Sequence, residues 1–316
     1  MYKVLITSRS FGQIDDESEC LLKEAGFDII RLKNDFDRQE FAQMVQNCDA
    51  LVIGGHRFEP EDMQKAKKLK IICKHGAGLD NIPLKEAARL GIAVTNVPGA
   101  NSGAVADLTM GLMLCLARKV IASANYVQAG VWKPCMGEDV FGKTLGLLGF
   151  GAIARNVAQR AGGFSMNVLT YDPYVTQVTE DLPHVKLASM KDVLVQSDFI
   201  SLHLPLNEST YGLIGRDEMQ IMKKGVYIIN TSRGGIIDES ALRNEVLAGR
   251  VAGAALDVLE REDDMKNQPL LGLENVIITS HIGMYSKEAI NKVSIVCAQN
   301  VVNFFAGKPL QHKVSD

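Results

Sequence analysis

The sequence predicts an α/β protein built from two doubly wound parallel sheets. Three observations predict it. Short strand-like runs alternate with helical segments from the start of the chain; a long apolar helix interrupts this near residue 100; and the alternation restarts at residue 143 with a glycine-rich turn behind its first strand. A length of 316 residues, with 47% hydrophobic and 22% charged side chains, allows two separate cores and excludes a fibrous or disordered chain.

In order, KVLITS reads as a strand and is followed by a polar helix that ends at Ala25-Gly26. FDIIRL, a helix over Phe41 to Asn47, ALVIGG, a helical Lys65 to Leu69 and KIICKHG continue the pattern. Arg89-Leu90-Gly91 closes a further helix at glycine, and GIAVTNV follows as a strand. Lys65, Lys67, Lys68 and Lys70 are expected to coat an exposed helix.

The pattern changes at Pro98-Gly99-Ala100-Asn101-Ser102, where Ser102 can cap a helix that is apolar on all sides through Leu116. Met110 to Ala117 falls far short of the roughly 20 residues a membrane span needs, so it reads as a buried helix. Trp132 is expected to pack at the domain junction. After the loop from Trp132 to Gly142 the second series runs through KTLGLLGFG, a helix over Ala152 to Ala161, MNVLTYD, DFISLHLP, GVYIINTS, GRVAGAALDV and NVIITSHIG. A last helix spans about Lys287 to Phe305, and periodicity leaves open which unit it joins.

A net charge of −3 and a pI near 6.1 give no general attraction to polyphosphate, which argues against nucleic acid as a partner and for small molecules. MYKVLITSRS lacks the charged and long apolar regions of a signal peptide, and the chain is expected to begin there. Six scattered cysteines suit a reducing cytoplasm, and neither they nor the histidines cluster at metal-ligand spacing. His56, His184 and His312 are read as surface residues, and His203 as lining a site or ending a strand.

Gly149-Phe150-Gly151-Ala152-Ile153-Ala154 follows a strand and opens a helix, the context in which glycine spacing signals a dinucleotide. Gly149 permits the turn, Gly151 admits a pyrophosphate, and Ala154 stands where helix and strand pack closely. The phosphates would lie over free N–H groups at the helix start. Asp172, at the end of the next strand, is placed to accept from the adenosine ribose hydroxyls and to repel a 2′-phosphate, which predicts NAD.

Arg233, Glu262 and His281 fall in loops after strands, where open α/β sheets bind ligands. Hydride chemistry at a 2-hydroxy acid needs a cation for the carboxylate and carbonyl, and an acid/base for the hydroxyl proton. A guanidinium supplies forked bonds to oxygen, and imidazole titrates near neutrality.

At these residues the chain resembles the D-isomer-specific 2-hydroxyacid dehydrogenase family, and the resemblance covers nearly its whole length. It runs through His75-Gly76-Ala77-Gly78-Leu79-Asp80-Asn81-Ile82, Val97 to Ser102, Lys143 to Gly146, the glycine loop, Asn230 to Gly235, Gly253 to Val258 and His281-Ile282-Gly283. Within the family it is most similar to short members that act on 3-phosphoglycerate in serine biosynthesis. The resemblance implies that Arg233 binds the substrate carboxylate and keto oxygen, His281 is the acid/base, and Glu262 orients it and raises its pKa.

It further implies cofactor contacts from Gly149, Gly151, Ala152, Ile153, Asp172, Thr231 and Asp257, the last near the nicotinamide carboxamide. Backbone N–H groups of His75, Gly76, Ala77 and Gly78 would bind the carboxylate, with Lys74 and Arg57 near a substrate phosphate. By the same resemblance a Rossmann NAD-binding domain, residues 101–284, is inserted in a flavodoxin-like substrate domain of residues 1–100 and 285–316. A cytoplasmic homodimer with its active site in the cleft between domains is implied as well.

The chain departs from the family pattern at Ser232, where alanine is usual, at Asp263 and Ser280, where proline is usual, and at Asp107, where glutamate is usual. The changes at 263 and 280 bear on how Glu262 and His281 align, with Glu260 the nearest rival for Glu262. Glyoxylate, hydroxypyruvate or another 2-keto acid is the alternative substrate. A non-catalytic NAD(H)-sensing module is the alternative of a different class, and Glu262 disfavours formate dehydrogenation.

Overall fold

The computed structural model describes residues 1–33 and 36–314. By internal contacts the chain forms two compact units, one of Met1–Asn101 with the segment from Met284 onward, the other Ser102–Gly283.

The first unit runs β1 (Lys3–Ile6), α1 (Glu17–Glu24), β2 (Asp28–Arg31), α2 (Arg38–Val45), β3 (Ala50–Ile53), α3 (Pro60–Lys65), β4 (Ile71–Lys74), α4 (Leu84–Arg89) and β5 (Ala93–Thr95). Its strands are parallel in the order β2-β1-β3-β4-β5, so the order reverses between β1 and β3. That is the flavodoxin-like order, with its ligand crevice beyond the carboxyl ends of β1 and β3. β3 and β4 are buried along their whole length, which is why β3 is an unbroken apolar run and β4 is apolar up to its last residue, Lys74.

The second unit runs α5 (Ser102–Ala117), α6 (Val120–Gln128), β6 (Thr144–Leu148), α7 (Ala152–Gly163), β7 (Asn167–Tyr171), β8 (Val185–Leu187), α8 (Met190–Gln196), β9 (Phe199–Leu202), α9 (Arg216–Ile221), β10 (Val226–Asn230), α10 (Glu239–Leu247), β11 (Val251–Leu256) and β12 (Val276–Ile278). The parallel order β12-β11-β10-β9-β6-β7-β8 reverses between β6 and β9, as in a Rossmann domain. On one face α5 and α7 pack Met110, Met113, Leu116, Val157 and Ala158 against Leu145, Leu147 and Val168.

The last helix, α11 (Lys287–Phe305), is capped by Ser286 Oγ, which accepts from Ala289 N. Its Val293, Cys297, Ala298 and Val301 share a core with Val4, Ile6, Val52, Ile71 and Cys73, so the chain returns to the first sheet. Periodicity could not assign this helix, because it gives the apolar face but not the sheet that covers it.

Four local expectations are corrected. The helix expected at Lys65 to Leu69 lies earlier, because Pro60 at its first position starts it and Ala66 ends it; Lys67, Lys68 and Lys70 are exposed in the turn before β4. Trp132 is not packed but 90% exposed. His56 is half-buried, with Phe36 and Phe41 edge-on at centroid distances of 4.9 and 4.6 Å. His184 Nε2 reaches Ala158 O at 2.7 Å instead of facing solvent.

Candidate active site

The glycine loop occupies the switch point of the second sheet. Gly149 has φ +90°, and a Cβ there would run into the His203 carbonyl beyond β9, so both backbone angle and space demand glycine. Its N–H donates to Tyr171 O at 2.8 Å, and the next N–H, of buried Phe150, donates to Asp172 Oδ2 at 2.8 Å. Asp172 Oδ1 accepts from Tyr174 N at 2.9 Å, which fixes the carboxylate at the end of β7. Gly151 is the N-cap of α7 and caps it with no side chain. A Cβ built on it would meet nothing within 4 Å, so the space over the helix start is open to an anion. Ala154 is fully buried where the helix closes on the sheet, while Ala152 is exposed and Ile153 half-buried.

His203 is neutral, its pKa lowered to about 3 by burial. Its Nε2 lies 3.0 Å from Ser201 Oγ, and its buried Nδ1 has no partner among the described residues.

Arg233 sits in a loop held by the residue that ends β10. Asn230 Oδ1 accepts from Ser232 N at 3.0 Å and Ser232 Oγ at 2.7 Å, and Asn230 Nδ2 donates to Arg233 O at 2.8 Å. Ser232, where alanine is usual, therefore adds a bond to the clamp. Thr231 is buried with its hydroxyl 2.8 Å from that of Thr109 on α5, and Gly234 lies against the Leu259 carbonyl where no side chain fits. Arg233 Nη1 donates to Ser232 O at 2.7 Å.

His281 is presented by Asp257. The buried carboxylate accepts from Thr279 Oγ1 at 2.6 Å, Ile282 N at 2.8 Å and Gly283 N at 2.8 Å, while Asp257 O accepts from His281 N at 3.0 Å. These bonds hold His281 at φ +55°, a left-handed backbone that few non-glycine residues adopt. Its Nδ1 lies 2.9 and 3.2 Å from the two carboxylate oxygens of Glu262, so Asp263 and Ser280 do not prevent the pair. The rival Glu260 is engaged elsewhere, accepting from Tyr211 Oη at 2.7 Å and donating its N–H to Glu239 at 2.8 Å.

The hydrogen bond from Glu262 raises the His281 pKa above its ordinary value; burial opposes this, the charges of Glu262 and Asp257 add to it, and Arg233 opposes it. Burial works against ionisation of Glu262, yet the bond and charge of His281, a backbone bond at Leu259 and the charge of Arg233 together lower its pKa. Both shifts favour an imidazolium–carboxylate pair.

In the first unit, the loop after β4 spends two of its four N–H groups internally: His75 donates to Ile53 O at 2.9 Å and Gly76 to Lys74 O at 2.9 Å. Gly76 O accepts from Val97 N at 2.9 Å and Ala77 O from Asn96 Nδ2 at 2.7 Å. In a trans peptide the N–H points opposite its C=O. Pinning those carbonyls therefore turns the Ala77 and Gly78 N–H groups the other way, where neither has a partner among the described residues. Asn96 was not singled out from the sequence, because its role appears only once the carbonyl it holds is known.

Lys74 is buried to 9% exposure and donates from Nζ to Gly54 O at 2.6 Å and Asn81 Oδ1 at 2.9 Å. Arg57 is 76% exposed, with Nε 3.3 Å from Glu59.

Residues 110–283 match the family model described as D-isomer specific 2-hydroxyacid dehydrogenase, NAD binding domain. The chain is 38% identical over 305 residues to a D-3-phosphoglycerate dehydrogenase of Archaeoglobus fulgidus, covering 96% of this chain but 58% of that one. It is 42% identical over 270 residues to a hydroxypyruvate reductase of Thermotoga maritima, covering 84% of this chain and 87% of the other. The crystal structure of a glyoxylate reductase from Paecilomyes thermophila superposes with a TM-score of 0.86 at 30% identity, over 99% and 98% of the two chains. The cofactor is NAD, and the tight turn, the open helix start and the fixed Asp172 fit it. On the matched region and these identities, the chain belongs to the D-isomer-specific 2-hydroxyacid dehydrogenase family.

Proposed function

We propose that the chain catalyses the NAD-dependent interconversion of a D-2-hydroxy acid and its 2-keto acid, with Arg233, Glu262 and His281 as its chemical residues. The observation that carries this reading is the 2.9 Å contact between Glu262 and His281, reached from the ends of the neighbouring strands β11 and β12. Arg233 follows β10, the next strand in the sheet, and its charge acts on both members of the pair.

In the direction of reduction, Arg233 holds the carboxylate and polarises the carbonyl by charge-assisted bonds. With Nδ1 turned to Glu262, Nε2 of the imidazolium is the end that delivers a proton to the carbonyl oxygen. Glu262 stabilises the cation before transfer and orients the ring. Bound nicotinamide supplies the hydride. The Ala77 and Gly78 N–H groups are assigned to the substrate carboxylate. Asp257 acts chiefly by holding the 279–283 loop, with the carboxamide contact a further role.

For the substrate, the D-3-phosphoglycerate dehydrogenase relatives support the pair 3-phosphoglycerate and 3-phosphohydroxypyruvate, which would place the chain in serine biosynthesis in the cytoplasm. Lys74 favours a second reading, an unphosphorylated acid such as glyoxylate or hydroxypyruvate, because its ammonium is buried and bound to Gly54 and Asn81. A homodimer is supported by the exposed apolar segment around Trp132.

The test follows NADH absorbance with a panel of 3-phosphohydroxypyruvate, glyoxylate, hydroxypyruvate and pyruvate. Preference for the phosphorylated acid, lost in Arg57→Glu, supports the first substrate; preference for an unphosphorylated one supports the second. Tight NADH binding without turnover of any acid would overturn the enzymatic reading and leave an NAD(H)-sensing module.

A further inference from the structure

The first unit contains a buried hydrogen-bond chain that the reading above does not use. His75, 3% exposed, lies between two serines: Nδ1 is 3.0 Å from Ser8 Oγ, and Nε2 is 2.9 Å from Ser294 Oγ. Ser8 follows β1, His75 follows β4 and Ser294 belongs to α11, so one ring joins three segments of the fold.

The hydroxyl of Ser294 gives the chain a direction. A hydroxyl has one proton to give, and Ser294 gives its own to Ile290 O at 2.8 Å. With that proton on Ile290 O, Ser294 Oγ accepts from His75 Nε2–H, and Nδ1 is left to accept from Ser8. Burial, assisted by the Lys74 and Arg31 charges, keeps the imidazole neutral. A single tautomer is thus held at both ends.

His75 is also the apex of the turn that opens the loop after β4, since Gly76 N–H donates back across it to Lys74 O at 2.9 Å. Gly76 has φ +144°, and beyond it come the two N–H groups assigned to the carboxylate. An apolar side chain could fill the same space. Only a group that donates at one end and accepts at the other can fix the turn against both β1 and α11.

We propose that His75 is a positioning residue for substrate binding: through Ser8 and Ser294 it sets the direction in which the Ala77 and Gly78 N–H groups meet the carboxylate of the 2-keto acid. This rests on the dehydrogenase reading. It predicts a loss confined to substrate affinity, because the cofactor loop and His281 lie in the other unit.

The experiment compares the full chain with Ser8→Ala, Ser294→Ala, His75→Leu and His75→Gln. It measures KM and kcat for the best-used 2-keto acid, the Kd for NADH by fluorescence, and Tm. The expected result is a KM raised about five- to twentyfold in Ser294→Ala and His75→Leu, as for a lost buried hydrogen bond. kcat should stay within about twofold and the NADH Kd should not change. His75→Gln, whose amide can donate and accept, recovers part of the loss.

An unchanged KM in the folded variants overturns the proposal, as does a joint fall of kcat, NADH affinity and Tm, which would show a merely structural role. If His75→Leu does not fold, the two serine variants decide by the same criteria. A wild-type chain that turns over no 2-keto acid sinks the dehydrogenase reading itself, whereas an active wild type with indifferent variants sinks only the role of His75.

Discussion

Glu262 and His281 form an ion-pair geometry in which Nδ1 stands 2.9 Å from one carboxylate oxygen and 3.2 Å from the other, and the histidine holds a left-handed backbone to reach it. The pair stands although Asp263 and Ser280 replace the prolines usual beside it. Asp257, with three donors on its carboxylate, provides the rigidity that proline would otherwise give.

The pair makes the pH dependence of keto-acid reduction predictable. On the proposed mechanism the imidazolium is the active form, so the rate should be present below the His281 pKa and lost as pH rises through it. Glu262 raises that pKa, which puts the falling limb above the ordinary histidine value of 6.5. Glu262→Gln should shift the limb toward acid and lower kcat/KM. His281→Ala should cost about 10²- to 10⁴-fold. A pH–rate profile of wild type and Glu262→Gln checks this, and an unmoved limb would refute the role of Glu262.

Arg233→Lys keeps the charge but loses the planar fork, so kcat/KM should fall on the order of 10²-fold, and further in Arg233→Ala. NADH affinity should change little, since the expected loss is in binding the acid. Steady-state kinetics with a separate NADH titration distinguish the two. A parallel loss of NADH binding would place Arg233 on the cofactor instead.

Gly149→Ala and Gly151→Ala should differ in kind. At Gly149 the new Cβ meets the His203 carbonyl with φ at +90°, so the free protein should lose roughly 1–3 kcal/mol and show a lower Tm as well as weaker NADH binding. At Gly151 the Cβ meets nothing within 4 Å, so Tm should hold while NADH affinity falls. Thermal melts with and without NADH read both effects. Unaltered NADH binding in Gly151→Ala would count against a pyrophosphate over α7.

Trp132 is 90% exposed, and Met136 and Phe141 on the same segment are 88% and 75% exposed. Exposed apolar side chains on one segment are a candidate surface for the proposed homodimer. Sedimentation should show a dimer for wild type and a larger monomer fraction for Trp132→Ser. A monomeric wild type would remove the homodimer.

Much was legible in the sequence because it depends on near neighbours. A strand, a turn glycine and a helix start define the cofactor loop within about ten residues, and strand ends place Asp172, Arg233, Glu262 and His281 at the edge where such sheets bind ligands. Alternation of elements likewise determined two parallel sheets. Trp132 and His56 depart from expectation in opposite directions, Trp132 exposed and His56 half-covered, because residue type does not tell whether a neighbouring segment covers a ring.

What only the tertiary structure decided are relationships between distant segments. His75 meets Ser8 across 67 positions and Ser294 across 219, α11 returns to the first sheet, and Lys74 turns out to be buried under Gly54 and Asn81. None leaves a local pattern, since each depends on which packed surfaces meet once loop closure has brought remote parts of the chain together. The sequence by itself thus determined the cofactor and nominated the candidate chemical groups; packing decided where each of those groups stands and which of them are spent holding the fold.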